Sequence, residues 1–468
     1  MSSFPSFPKR KRIRERDMQT RGGKWVSIKT WSLWFAIFLA AGTPASPGTL
    51  FANVPHKDTL SNGLTVVYQR DESSALSVVQ IVIQGGKNRE PRGMEGLAFL
   101  TVRLCLELPD QTVLEKMMNQ ATRTTMFCRE DFSVIKVSCL SENLEEAMKL
   151  STHIFRDPLF SGLRIDRIKE MMDHQRKQQD DEPLNTAHQA ALEMLFKGTG
   201  YAGLSLGSEE SLKKIKKRDI EGFYHDSFRA RNMIVVISTD LDKDRALGIL
   251  QPYFREFAEG KFPEPASFAL SAADEKFRFI EKDNQQSLVY LAFPLPAISP
   301  RNYVLATMLQ NLLGKGMDSK LWPLRTEKKL AYIVNAQAYM MKEGGMLEAY
   351  LETDQAKTQE AVRELKKAIR DLYENGISSE ELAVTKVQSQ GMFLRENETK
   401  DEKTYSMAVM EALGLGYDFL NKMPSEIEAP TFQEFNAFIR DVLDPEKAAE
   451  IVVGPKGSGS DPSTIRLP

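Results

Sequence analysis

Leu76-Ser-Val-Val-Gln-Ile-Val-Ile83 is an almost unbroken run of β-branched and aliphatic residues, stopped by Gly85-Gly86, and reads as a strand. Before it, Asn62-Gly63 supplies a turn signal and Leu64-Thr-Val-Val-Tyr68 a second strand. Beyond it the period changes to that of a helix over Gly93 to Leu108 and Val113 to Gln120. A hairpin over 124–139 follows, then charge-rich helices over Glu142 to Phe155 and Ile165 to Gln179, with Asp157-Pro158 and Glu182-Pro183 as stops. Helices over 186–196, 208–215 and 219–228 lead to a closing strand, Met233-Ile-Val-Val-Ile-Ser238. Runs of strand and helix in this order predict an α+β unit, an antiparallel sheet covered by helices.

The same order then repeats. Phe277-Arg-Phe-Ile280 and Ser287-Leu-Val-Tyr-Leu-Ala-Phe293 restate the paired strands, and Tyr303 to Leu313 the helix after them. Ile333 to Tyr339 with Met346 to Glu352 restate the hairpin, and Gln355 to Tyr373 with Ser379 to Leu394 the two long helices. Gly198-Thr-Gly-Tyr201 and Met233 to Ser238 find counterparts in Gly414-Leu-Gly-Tyr417 and Ala449 to Gly454. A duplicated domain is the economical reading, and 468 residues are too many for one core. We expect a first domain over 53–255, a linker over 256–275 with Gly260, Pro263 and Pro265, and a second domain over 276–468.

The overall charge of −2 excludes a wholesale polyanion binder and a disordered acidic chain. It conceals an asymmetry. Residues 1–52 hold nine basic residues against two acidic ones, leaving 53 basic and 62 acidic in the remainder, a net −9. The basic stretch Lys9 to Arg16 precedes the apolar run Trp31 to Ala41 and small residues at Ala45 and Ala52, the order of a secretory signal. Residues 1–52 are therefore expected to be a signal peptide, or a membrane anchor if uncleaved, with a periplasmic or secreted body. A nuclear or nucleic-acid patch over Lys9 to Arg16 is the weaker alternative, and no nucleic-acid partner is expected. Cys105, Cys128 and Cys139 make no paired motif and read as buried free thiols.

Several phrases together resemble the pitrilysin or insulinase-type metallopeptidases, the inverzincins, and within them the short two-domain subunits that act in pairs. They are Leu60-Ser-Asn-Gly-Leu-Thr-Val-Val67, Gly96-Leu-Ala98, Gly207-Ser-Glu-Glu-Ser-Leu212, Asp219-Ile-Glu-Gly-Phe-Tyr224 and Leu324-Arg-Thr-Glu-Lys-Lys-Leu-Ala-Tyr332. The resemblance implies a zinc motif, H-x-x-E-H, on the helix opened by Gly-Leu-Ala, with a further Glu on a later helix. Here those positions read Phe99, Val102 and Arg103, and the later one falls near Gln175. Phe and Val offer no lone pair, and a guanidinium repels a dication, so no metal is expected in this chain.

Nothing else in the sequence rebuilds such a centre. His56, His153, His174, His188 and His225 lack a second His at helical spacing, although His174 with Asp173 or His188 with Glu193 could contribute one ligand pair. There is no G-x-S-x-G, and Gly207-Ser208 reads as a helix cap. Gly198 to Gly203 matches G-x-G-x-x-G only formally, since it follows a helix. The lysines of 213–218 read as a solvated face, and the twenty methionines as core filling.

What survives of the resembled family's site is Arg325 and Tyr332. There, an Arg and a Tyr at this spacing face the zinc site of another domain, the Arg holding a substrate carbonyl and the Tyr hydroxyl the developing oxyanion, a contribution of about 3–4 kcal/mol. The reading from the residues alone is that Arg325 is a helix-end cation and Tyr332 starts a buried strand. The resemblance implies a zinc-free subunit of a heterodimeric metallopeptidase, lending Arg325 and Tyr332 to a homologous partner with an intact H-x-x-E-H and its own zinc, on peptide substrates bound by strand addition. It also implies a chamber that opens and closes, with Ala258 to Ala273 as hinge. The alternative is a structural or chaperone-like pseudopeptidase with no catalytic partner.

Overall fold

The structure, a computed structural model, describes residues 53–108, 111–263 and 275–458, the side chains of 153 and 154 aside. The signal or anchor expected over 1–52 lies outside the described residues, as do 264–274 of the expected linker and hinge. Two sheets organise the rest. The first contains β1 (His56–Thr59), β2 (Thr65–Arg70), β3 (Leu76–Ile83), β4 (Arg123–Cys128), β5 (Ser133–Leu140) and β6 (Met233–Thr239), in the order β1-β2-β6-β3-β5-β4. The second contains β7 (Phe277–Glu281), β8 (Gln286–Leu295), β9 (Ile333–Met341), β10 (Gly344–Asp354) and β11 (Ala449–Gly454), in the order β7-β11-β8-β10-β9. Leaving out β1, the two orders are the same, as a duplicated unit requires.

Each sheet is antiparallel apart from one pair, β2 with β6 and β7 with β11, which run parallel. The expectation of a wholly antiparallel sheet is corrected there. The closing strand of each half returns after a long helical excursion, long enough for the crossover that parallel neighbours need. Helices Lys243–Phe254, Lys400–Ala412 and Phe419–Glu428 add to those read from the sequence.

The strands are apolar on consecutive residues because both faces of each sheet are covered. On one face of the first sheet Val66, Tyr68, Val79, Ile81, Ile135 and Val235 pack under its own helices. On the other, Val67, Val82, Val134, Ile234 and Val236 join the core of the second half, under the helix Lys400–Ala412. The second sheet mirrors this. Tyr290, Ala292, Met346, Ala449 and Ile451 are covered by Ala187, Ala190, Ala191 and Met194 of the helix Pro183–Leu195. Each half thus lends a helix to the other, and the described residues form one compact unit.

Polar locks fix the exchange. Lys400 donates from Nζ to the carbonyls of Asp71, Ser74 and Leu76 at 2.7, 2.8 and 2.9 Å. Lys136 pairs with Asp401 at 2.7 Å, and Lys57 with Glu411. The start of the expected linker is also held: the N–H groups of Ala230 and Arg231 donate to Ala258 and Gly260 at 2.9 and 3.1 Å, and Phe257 is buried. Ala258 is accordingly no free hinge end, because its carbonyl completes a turn of the first half.

The three cysteines are free; Cys105 and Cys139 are buried and Cys128 half-buried. The hairpin register sets Cys128 opposite Ser133 and Arg123 opposite Ser138, which leaves Cys128 and Cys139 at opposite ends.

Candidate functional site

The helix Leu97–Leu104 carries three of the lost metal positions, and its start is built with care. Gly96 precedes it at φ 92°, and a Cβ there would come within 2.8 Å of the Gly207 backbone nitrogen, so two requirements select glycine. The Glu90 carboxyl accepts from the N–H groups of Gly96 and Ala98 at 3.1 and 2.8 Å, satisfying donors the first helical turn leaves unpaired. Burial pushes the Glu90 carboxyl up to about 8, against the lowering effect of those two bonds.

Phe99 and Arg103, one turn apart, line a cavity of about 950 Å³, and Gln175 of the helix Gly162–Asp181 lines it from across. The fold therefore does bring three of the four positions together. Val102 turns the other way into the core. The residues do not fit a zinc ion: the wall where ligands would stand offers a phenyl ring, a guanidinium and an amide. Among the described residues no cluster of three His, Cys, Asp or Glu stands elsewhere. The ligand pairs considered from sequence are otherwise engaged. His188 Nδ1 lies 3.0 Å from Glu348, Glu193 pairs with Arg278 at 2.8 Å, and Asp173 pairs with Arg176 and Lys177 at 2.5 and 2.7 Å.

The rest of the cavity wall is mixed, with an apolar part and a polar part that includes Thr122, Gln178, Gln179, Glu182 and Asn185. Met117, Met118, Met126 and Met171 share the apolar part with Leu106, Leu114 and Leu206, and Met118 is 69% exposed. Reading every methionine as core filling misses Met118, which is exposed, whereas Met117 is buried and Met126 and Met171 pack against the first core while also lining the cavity. Beside them runs β4, the edge of the first sheet, with Thr124, Thr125 and Met126 on the cavity. Among the described residues no side chain bonds the outer backbone groups of β4, an arrangement that accepts an added strand.

The equivalent groove of the second half is smaller, a cavity of about 310 Å³ with Tyr303, Thr307, Gln310 and Ala338 in its lining. Its helix, Pro300–Gly314, is fifteen residues to the other's eight. It reaches the edge strand β9, where Gln310 accepts the outward N–H of Ala338 at 2.8 Å and a Cβ on Gly314 would run into the backbone of Ala336. Of the two grooves the first is the larger, and it is in the second that a helix side chain takes an outward amide of the edge strand.

Arg325 and Tyr332 do not line that cavity. Arg325 is exposed in the last turn of the helix Trp322–Thr326, its guanidinium 4.8 Å from the Trp322 ring centroid. Tyr332 is 68% exposed in the bend before β9. The reading of Tyr332 as the start of a buried strand is corrected: Ala331 and Val334 take the core positions, and the bend turns the ring outward. Sequence reasoning also missed Glu107, whose spacing from Arg103 was a usable i, i+4 signal. Its buried carboxylate bonds Arg103 at 2.7 Å and also Arg167.

Comparison with known proteins places this geometry in context. Residues 65–207 match the family described as insulinase (peptidase family M16), and residues 214–388 the peptidase M16 inactive domain. The chain is 23% identical over 391 residues to the protein named "Non-peptidase homolog YmxG" of Helicobacter pylori, covering 82% of this chain and 90% of that one. Its fold is similar to a peptidase M16 inactive domain from Pseudomonas fluorescens, with a TM-score of 0.79 at 18% identity over 86% of this chain and 98% of that one. It is also similar to a chain of Complex III2 from Candida albicans, with a TM-score of 0.76 at 18% identity over 88% and 98%.

Proposed function

We propose, given that the chain belongs to the insulinase family of peptidases, M16, that it is a non-catalytic, zinc-free member which completes the site of a homologous, zinc-bearing partner. The observation that carries this reading is the exposure of Arg325 and Tyr332 together, on a surface turn and bend with no role in their own core. A tyrosine ring left in water beside an edge strand is unspent apolar surface with a hydroxyl at its tip, suited to an interface. The loss of ligands at Phe99, Arg103 and Gln175 supports the non-catalytic half of the proposal, as does the similarity to a protein named a non-peptidase homolog.

In the assembled pair Arg325 would hold a substrate carbonyl and Tyr332 would donate to the oxygen on which charge develops, while the partner supplies the metal. As part of the same proposal the protein is exported by residues 1–52. Among the described residues no helix is long and apolar enough to cross a membrane.

Co-purification from the periplasmic or secreted fraction of the native cell, with zinc analysis of each subunit, tests the pairing. Tyr332→Phe in the reconstituted pair is expected to lower turnover about 100-fold or more with little change in substrate binding. Full turnover of that variant would overturn the role. A second reading is a polypeptide-binding pseudopeptidase that needs no catalytic partner. It is favoured by the open cavity beside β4, which the loss of the metal has not closed.

A further inference from the structure

Two arginines share one carboxylate beside the open cavity. Glu107, 8% exposed, takes Arg103 on Oε1 and Arg167 on Oε2, while Arg164 donates to the main-chain carbonyls of Glu107 and Leu108 at 3.5 and 3.2 Å. Two guanidinium groups thus divide one carboxylate between them, in a chain whose residues 53–468 are net acidic. The cavity lining repeats the bias, with Arg103 and Arg123 against Glu182.

Arg103 is the group that reaches the cavity. Among the described residues Glu107 is its one ionic partner and is engaged through Nη1, so the rest of a five-donor guanidinium is turned to the space. Burial and the neighbouring Arg167 both press against its charge, which an incoming anion would relieve. The remaining wall includes methionines, leucines and the edge of β4, with Gln175, Gln178, Gln179, Glu182 and Asn185 as its polar side. An extended peptide would satisfy all three: main chain on the edge, apolar side chains on the methionines, and a carboxylate on Arg103.

We infer that the former metal position has become a carboxylate anchor, at which Arg103 holds a carboxylate of an extended, partly apolar polypeptide lying along β4. This rests on reading the cavity as a polypeptide cleft, and it names what the cleft selects. Recognition of a planar carboxylate by a guanidinium is strong where water is partly excluded. Such a carboxylate can come from a chain end or from an acidic side chain.

The test is fluorescence anisotropy of the full chain with three eight-residue peptides of alternating valine and threonine, labelled at the amino end. One ends in a free carboxyl, one in a carboxamide, and one in a carboxamide with its penultimate residue replaced by glutamate. The free acid is expected to bind about 10- to 100-fold tighter than the plain amide, with the difference erased in Arg103→Gln and weakened by salt. If the glutamate peptide matches the acid, the anchor stands and side-chain carboxylates are among its ligands. Equal binding of acid and plain amide to the unmodified protein overturns the anchor and leaves the cleft reading intact, whatever Arg103→Gln does to folding. Binding of none of the three overturns both.

Discussion

Glu90 holds the start of the helix on which the resemblance places the metal motif, and its titration leaves a signature. A carboxyl at about 8 in the folded chain and near the ordinary glutamate value when unfolded keeps a proton on folding between those limits. The contribution is complete below about pH 4.5 and is lost as pH rises through about 8. Glu90→Gln, which keeps the shape and removes the charge, is expected to flatten the fall in stability between pH 5 and pH 9. Urea denaturation across that range reads it, and an unchanged slope would show that Glu90 is already ionised at neutral pH. At this scale much of the candidate site was legible. The resemblance pointed to Phe99 and Arg103 on one helix and Gln175 on another, and the three line one cavity. Glu107 and the four cavity methionines were not legible, since a residue's type does not say whether its neighbour across space is core or void.

At the scale of elements, helix length separates the two duplicated grooves. The fifteen-residue helix Pro300–Gly314 packs on β9 and spends Gln310 on an edge amide, whereas the eight-residue helix Leu97–Leu104 meets β4 with no such bond among the described residues. Gln310→Ala is expected to speed amide exchange at Ala338 roughly five-fold, the worth of about 1 kcal/mol. The outer amides of β4 are expected to exchange fast already. Hydrogen exchange with fragment-level resolution distinguishes the two edges, and equal protection of β4 and β9 would contradict the contrast. The elements themselves were largely readable: the strand Leu76–Ile83 and the closing strand from Met233 fall where the apolar runs place them. The helix over Gly93 to Leu108 was not, because its first residues are spent on the turn at Gly93 and Gly96, both at positive φ, and local periodicity does not register a glycine that terminates rather than continues a pattern.

Across the whole molecule, the exchange of helices ties two repeats into one unit. Lys400 is its most concentrated point, a buried ammonium in a ring of three carbonyls. Lys400→Met leaves those carbonyls without a donor and is expected to cost about 2–4 kcal/mol. Because sheet faces from both halves share one core, unfolding followed by probes in either half should still give a single transition, shifted as one. Separate transitions for the two halves would refute the tie. With the halves joined in this way, any opening of a chamber is expected between this chain and the proposed partner rather than within it.

The sequence by itself determined the duplication and most of the order of strands and helices, which depend on period and composition and are local; the family resemblance pointed to Phe99, Val102 and Arg103, and residue chemistry excludes these as metal ligands. Only the tertiary structure decided that each repeat covers the other's sheet, that one groove is wider than its twin, and that Tyr332 faces water. These are outcomes of which surfaces compete for burial, and a strand apolar on every residue is equally consistent with either partner until the packing has chosen one.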